Sequence, residues 1–200
     1  MMSIGHQDRA LLIIDVQNDF CETGFAYEKS GRDITPIRTM VKERLLPFLM
    51  RWRSACQRSI FICAHYPRDK FLTDGFPELC VAGTEGAALF LIKPDSLSSL
   101  EALFFKSELD AFSNPELDSY LRAHKVDRVL ISGVTTDKCV KASISGALKR
   151  GYAISVLRDL VAAAGHRVRE HRDVLSTLEQ QGGIEVVTST EIERLFWGGS

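Results

Sequence analysis

Runs of consecutive apolar residues alternate along this chain with segments whose apolar positions return every three or four residues. The first run, Arg9-Ala10-Leu11-Leu12-Ile13-Ile14-Asp15-Val16, is unbroken until it meets an acid. Continuous apolarity suits a central parallel strand, buried on both faces, better than an alternating edge strand. Asp15 then falls at the strand's carboxyl end, and Gln17 to Cys21 follow as a polar loop with one aromatic, Phe20. Ser59–Ala64, Glu101–Lys106, Arg128–Ser132, Ala153–Leu157 and Ile184–Thr188 read as further strands of the same kind. The third ends in Lys106, and the fifth gives way to Arg158-Asp159.

Between them the helical period takes over. Ile37, Met40, Val41, Leu45, Phe48, Leu49 and Trp52 make one stripe within Ile34–Cys56, with Pro36 in the first turn and Pro47 inside the pattern, where a kink or break is expected. Asn114-Pro115 starts a helix with its N-cap and N1 residues, and Lys138–Arg150 closes on Gly151. Arg167–Gln181 ends at Gly182-Gly183, and a short helix covers Glu191–Phe196. Strands alternating with helices predict an α/β fold, a three-layer α/β/α arrangement on a doubly wound, six-stranded parallel sheet. Residues 1–200 read as one domain with no repeat or linker. The stretch from Arg68 to Ala88, with Gly75, Pro77, Gly83 and Gly86, is long for a plain connection and is expected to form part of a pocket.

Composition narrows the classes of function. A net charge of -1 over 200 residues gives no field that gathers nucleic acid or an anionic membrane, and the mildly basic segment His166–Arg172 makes no groove. No 18-residue apolar run is present, and Met1 to Arg9 lacks the apolar region of a secretory signal, so a soluble, cytoplasmic protein is expected. The five cysteines, at 21, 56, 63, 80 and 139, have no metal-like spacing and read as free thiols, with Cys56 and Cys63 buried and inert.

Cys139 differs. In Ser132-Gly133-Val134-Thr135-Thr136-Asp137-Lys138-Cys139-Val140 an apolar strand breaks at a glycine, turns, and opens a helix at the thiol. Backbone N–H groups and the helix dipole there favour thiolate, which makes Cys139 a candidate nucleophile. In open parallel sheets ligands sit beyond the carboxyl ends of the strands, and Asp15, His65, Lys106, Thr135 and Asp159 all fall near such ends. A thiol with a reference pKa of about 8.5 needs a cation, a base or both before it attacks a carbonyl. Lys106 can supply the charge and Asp15 the base, while five histidines leave a Cys-His pair open.

Four stretches carry a family resemblance. Leu12-Ile13-Ile14-Asp15-Val16-Gln17-Asn18-Asp19-Phe20, Gly83-Thr84-Glu85-Gly86-Ala87, Lys106 followed by Ala111-Phe112, and Gly133 through Val140 resemble, in order, the motifs of the isochorismatase-like cysteine hydrolases. The likeness runs from about residue 9 to 196. It implies an Asp15-Lys106-Cys139 triad and a non-proline cis peptide between Val134 and Thr135. It also implies an oxyanion hole made by the N–H groups of Thr135 and Cys139. The implied activity is hydrolysis of a C–N bond in a small amide or ureide through a thioester, without a cofactor, by a homodimer or homotetramer.

Isochorismatases proper cleave an enol ether and typically lack the cysteine, so Cys139 favours amide chemistry. Hydrolysis of an enol ether or ester, and a non-catalytic metabolite-binding role, stand as alternatives. Nicotinamidases in the family hold a divalent metal with an Asp-x-His pair after the second strand. Those positions here are Ala64 and Tyr66, so no metal is expected and nicotinamide is disfavoured as the main substrate. Asp110 stands where many relatives have Ser, and either a cationic substrate group or Lys106 is its expected partner. Phe20, Tyr27, Tyr66 and Phe112, with the polar Gln17 and Asn18, are the expected substrate contacts.

Overall fold

The alternation along each strand decides which layer its side chains join. In the computed structural model, which describes residues 9–71 and 78–197, Leu11 and Ile13 of the first strand pack into one core. Leu12 and Ile14 pack into a second core on the other side. Both faces of that strand are buried throughout, as its unbroken apolarity predicts. The polar start of the chain and the centre of the 68–88 stretch lie outside the described residues.

Six strands form one parallel sheet: β1 (Arg9–Ile14), β2 (Arg58–Ala64), β3 (Glu101–Lys106), β4 (Arg128–Val134), β5 (Ala153–Ala162) and β6 (Ile184–Val187), in the spatial order β3-β2-β1-β4-β5-β6. This is the doubly wound order, and the direction of winding reverses between β1 and β4. Short helices α1 (Asn18–Cys21) and α2 (Ala26–Lys29) follow β1. Helices α3 (Thr35–Met40) and α4 (Leu46–Ser54) lie with α8 (Ser189–Trp197) on the side of Leu11 and Ile13. Helices α5 (Pro115–Ala123), α6 (Lys141–Lys149) and α7 (Val168–Glu179) cover the opposite face.

The Ile34–Cys56 pattern divides into α3 and α4 as Pro47 suggested, with a wide turn at Val41–Leu45 between them and Pro47 in the first turn of α4, where its missing N–H removes no needed bond. Two expectations need correcting. Strand β5 runs on to Ala162, and its register against β4 shifts between the Ile131–Val156 and Gly133–Val161 pairs. Asp159 therefore lies in this bulge rather than at a strand end, and its carboxylate accepts hydrogen bonds from the Ser189 N–H and hydroxyl at the start of α8. Cys56 is exposed, at a turn with φ +53°, rather than buried.

Candidate active site

Where the winding reverses, two turns leave the sheet side by side. The last register pair of β1 and β4 is Ile14 with Gly133. Only glycine fits there: Gly133 has φ +114°, and a Cβ on it would stand 2.1 Å from the Ile14 carbonyl oxygen. Immediately beyond the pair, Asp15 takes φ +53°, a left-handed conformation that Asp tolerates better than most side chains. Its N–H donates to the Ile62 carbonyl of β2 at 2.8 Å. On the β4 side the Val134–Thr135 peptide is cis, where the resemblance placed it. The Thr135 carbonyl then accepts the N–H groups of Lys138 and Val140, on either side of Cys139.

Lys106 arrives from β3, two strands away from β1. Its register partner on β2 is Ala64, which presents only a methyl group and leaves room for the lysine to cross. The ammonium stops 2.9 Å from Asp15 Oδ2, both side chains fully buried, and also donates to the Glu108 carbonyl at 3.0 Å. The Cys139 thiol is the other side-chain hydrogen-bond partner of the Asp15 carboxylate. Asp15, Lys106 and Cys139 are thus brought together as the sequence predicted, with His65 outside the group.

Their electrostatics revise one expectation. Burial, followed by the neighbouring Asp15 carboxylate, pushes the Cys139 thiol well above its ordinary value, and Lys106 does not outweigh them. Helix-terminal geometry does not by itself yield a resting thiolate. Burial also opposes the charge on Lys106, but Asp15, Cys139 and Tyr66 outweigh it and raise its pKa. The resting site is a thiol beside a lysinium–carboxylate pair.

The expected contacts divide into two groups. The Tyr66 phenol shares the field of Lys106, Cys139 and Asp15, and burial pushes its pKa up. Tyr27 is half-buried and senses Asp137 and Cys139, with Phe20 set edge-on behind it at 5.2 Å. Gln17 does not offer its side chain to a ligand. Its amide donates to the Ala64 and Ala87 carbonyls at 2.9 and 2.7 Å and accepts the Ala64 N–H at 2.8 Å. Asn18 likewise donates to the Glu85 carbonyl. Phe112 is a core residue on the α6 side, 5.7 Å from the Tyr152 ring and capped by the Arg150 guanidinium. Asp110 turns to its own backbone rather than to Lys106. It caps its own turn through the Phe112 N–H at 2.9 Å and lies against Gly146 of α6.

Contacts that the sequence reading passed over hold the Thr136–Val140 turn from outside. His171 Nδ1 of α7 lies 2.9 Å from the hydroxyl of the fully buried Thr136. Arg167 reaches Asp137 Oδ2 with Nε at 3.0 Å and Nη2 at 2.9 Å. Both belong to the basic segment 166–172. Their four-residue spacing puts them on one helix face, but their partners lie 30 and 35 residues away, beyond any local signal.

The donors present do not suit the divalent ion of the nicotinamidase pattern. Ala64 has no ligating atom, and Gln17 occupies its backbone. His65 stacks on Phe105 at 4.1 Å and 11°. Among the described residues no group of three or more His, Cys, Asp and Glu side chains is placed to hold a metal.

With this geometry in hand, comparison with known proteins identifies the lineage. The isochorismatase domain family matches residues 9–191. The chain belongs to the isochorismatase family. Among its family relatives, the nicotinamidase of Escherichia coli (strain K12) is 30% identical over 180 residues, covering 76% of this chain and 81% of that protein. The nicotinamidase/pyrazinamidase of Mycobacterium tuberculosis is 32% identical over 165 residues, covering 77% and 86%. A solved isochorismatase-like hydrolase from Alkaliphilus metalliredigens superposes with a TM-score of 0.81 at 22% identity, over 94% of this chain and 99% of that one. Isochorismatase-family architecture thus extends across the whole described sheet. No helix among the described residues is long and apolar enough to cross a membrane.

Proposed function

We propose that this protein is an amidohydrolase that cleaves a C–N bond, other than a peptide bond, in a small amide or ureide through a thioester on Cys139. The observation that carries this reading is the convergence of a buried thiol with the Lys106–Asp15 pair, 2.9 Å apart, at the reversal of the sheet. The family's nicotinamidases support amide chemistry.

Each step follows from the charges. A thiol held protonated by burial becomes nucleophilic only as its proton leaves, and Asp15 is the base beside it. Lys106 keeps a positive charge next to both groups, so the thiolate that forms is not left beside an unpaired carboxylate. As the carbon–sulfur bond forms, the carbonyl oxygen becomes an oxyanion, received by the Thr135 and Cys139 N–H groups. Asp15 returns the proton to the departing nitrogen, the C–N bond breaks, and the thioester remains. Asp15 then takes a proton from water, whose oxygen adds to the thioester carbonyl; the C–S bond breaks, the acid is released, and Asp15 returns the proton to the leaving sulfur, restoring thiol and carboxylate. No metal enters these steps, since the residues present do not fit one.

Tyr27 and Tyr66 supply aromatic surface near the thiol, with Phe20 backing Tyr27, which suits a small planar acyl group. The test is ammonia or amine release from a panel of nicotinamide, pyrazinamide, N-carbamoyl amino acids and simple ureides. Turnover of at least one, lost in Cys139→Ala and accompanied by acylation of Cys139 in intact-mass spectra, is expected. Acid release without amine from ester or enol-ether substrates would favour the alternative chemistry, and unchanged turnover in Cys139→Ala would remove the covalent mechanism.

A further inference from the structure

We propose that His171 is a positioning residue for this chemistry: through Thr136 it holds the nucleophile turn in register with Asp15, with Arg167 gripping the adjacent residue. This rests on the reading of Cys139 as the nucleophile. Helix α7 and the residue before it touch the Thr136–Val140 turn at two successive residues, Thr136 through His171 of the helix and Asp137 through Arg167 at its N-cap. Thr136 lies directly between Thr135, whose N–H follows the cis peptide, and the residues that lead to Cys139. A shift of Thr136 therefore moves the oxyanion donor and the thiol together.

The turn depends on this outside support. Its own hydrogen bonding is wide rather than α-helical, with Val140 N–H reaching back to the Thr135 carbonyl at 3.2 Å. The Thr136 hydroxyl is fully buried, so it needs a partner, and the imidazole is the one in place. In a neutral imidazole Nδ1 accepts from the Thr136 hydroxyl in one tautomer and donates to its oxygen in the other, so the contact stands in either. The charged groups facing it are Asp137 from the nucleophile turn and Arg172 on its own helix. Burial and then Arg172 hold His171 below the usual histidine value, which keeps it neutral at pH 7. Arg167 is also paired with Glu170 at 2.8 Å, so the guanidinium is fixed from both sides as it meets Asp137.

Near-attack geometry is sensitive to small displacements, a misplacement of about 1 Å costing on the order of 100-fold in rate. The experiment measures kcat and KM for His171→Leu, Thr136→Val, the double variant and His171→Asn. The substrate is whichever amide of the panel is turned over fastest, and thermal midpoints are recorded in parallel. His171→Leu and Thr136→Val should each lower kcat by about 10- to 100-fold with KM within about threefold. The double variant should be no worse than the poorer single one, because both remove the same contact. His171→Asn, which places an amide atom where Nδ1 lies, should recover kcat to within about fivefold of wild type.

A His171→Leu enzyme within twofold of wild-type kcat overturns the proposal. So do losses that multiply in the double variant, or a folded His171→Asn as slow as His171→Leu. Cys139→Ala, run alongside, separates the two readings. If it is inactive and His171→Leu is not impaired, the positioning role fails alone. If it is fully active, the covalent mechanism fails and takes the positioning role with it.

Discussion

The two turns that leave the sheet at β1 and β4 start from one register pair, Ile14 with Gly133, yet they are held in different ways. After β1, buried polar side chains are tied to backbone. Gln17 makes three such bonds, to Ala64 and Ala87. Asp19 accepts the Cys80 N–H at 2.7 Å and the Ala26 N–H at 3.2 Å, and Gly86 lies so close that a Cβ there would reach 2.3 Å from the carboxylate. After β4, the polar residues are tied to side chains of another helix, Thr136 to His171 and Asp137 to Arg167. Asp15 is the exception in its own turn. Four residues from Asp19 and equally buried, it receives no backbone N–H and faces a cation and a thiol instead. A carboxylate saturated by backbone donors is poor at taking a proton, whereas one left with open lone pairs can act as a base. The comparison separates the acid that builds the site from the acid proposed to work in it.

The change expected to have the largest effect on turnover breaks that exception. Asp15→Asn removes the base and should lower kcat by about 10²- to 10⁴-fold. Burial and then the Asp15 anion are what keep the Cys139 thiol protonated. The same variant leaves Lys106 beside Cys139 without its carboxylate, so alkylation of Cys139 by iodoacetamide near pH 8 should become faster than in wild type. Thiol reactivity and turnover would move in opposite directions, and a parallel fall in both would contradict the assignment of Asp15 as base.

The pair that joins the turns is next. Gly133→Ala forces a side chain into φ +114° and onto the Ile14 carbonyl. It should cost about 3 kcal/mol or more in chemical denaturation. A variant of near wild-type stability would mean that β1 and β4 do not need this close approach. Gln17→Leu should follow, at about 2–4 kcal/mol, since it strands buried N–H and C=O groups at Ala64 and Ala87. His171→Leu should show the reverse balance, with less lost in stability and more in kcat. If Gln17→Leu instead spares stability and raises only KM, Gln17 is a substrate contact after all.

These contrasts also mark what was legible in the chain. The apolar runs placed all six strands, because burial on both faces leaves no polar position to confuse the period. The meeting of Asp15, Lys106 and Cys139 was legible because each ends or follows such a run. Asp159 was misplaced because a bulge in β5 is a matter of pairing with β4, which a strand's own residues do not announce. Gln17 and Phe112 were expected against substrate, and Asp110 against a cationic substrate group or Lys106; in the structure Gln17 and Asp110 hydrogen-bond to backbone and Phe112 packs on Tyr152. His171 was missed because its partner is distant in sequence, and a histidine among arginines on an amphipathic helix reads as a solvated face.

Titration sharpens the comparison further. The backbone-tied turn contains no histidine, while the turn after β4 leans on an imidazole. His171 has a folded pKa below the 6.5 of a free histidine. Its neutral-state contribution to stability is therefore complete above pH 6.5 and is lost as pH falls through that value toward the folded pKa. His65 and His124 are depressed by burial too, so wild type alone does not isolate the effect. The drop in thermal midpoint between pH 7.5 and 5.5 should be smaller in His171→Asn than in wild type. Equal drops would show that the imidazole charges there without cost.

The smallest expected effect comes from Asp110, beside neither turn. A cationic substrate group or Lys106 was its expected partner, but the carboxylate accepts the Phe112 N–H in the manner of a cap, and a serine hydroxyl can do the same. The surrounding segment is held independently, by the Ala111 N–H on the Ser143 hydroxyl at 2.9 Å and by Arg150 on the Phe112 carbonyl. Asp110→Ser should therefore stay within about 0.5 kcal/mol in stability. Its kcat/KM should lie within about twofold of wild type for both neutral and cationic amides. A selective loss for cationic substrates would return Asp110 to the binding site, and would require the 107–113 segment to turn its carboxylate away from Gly146 when substrate enters.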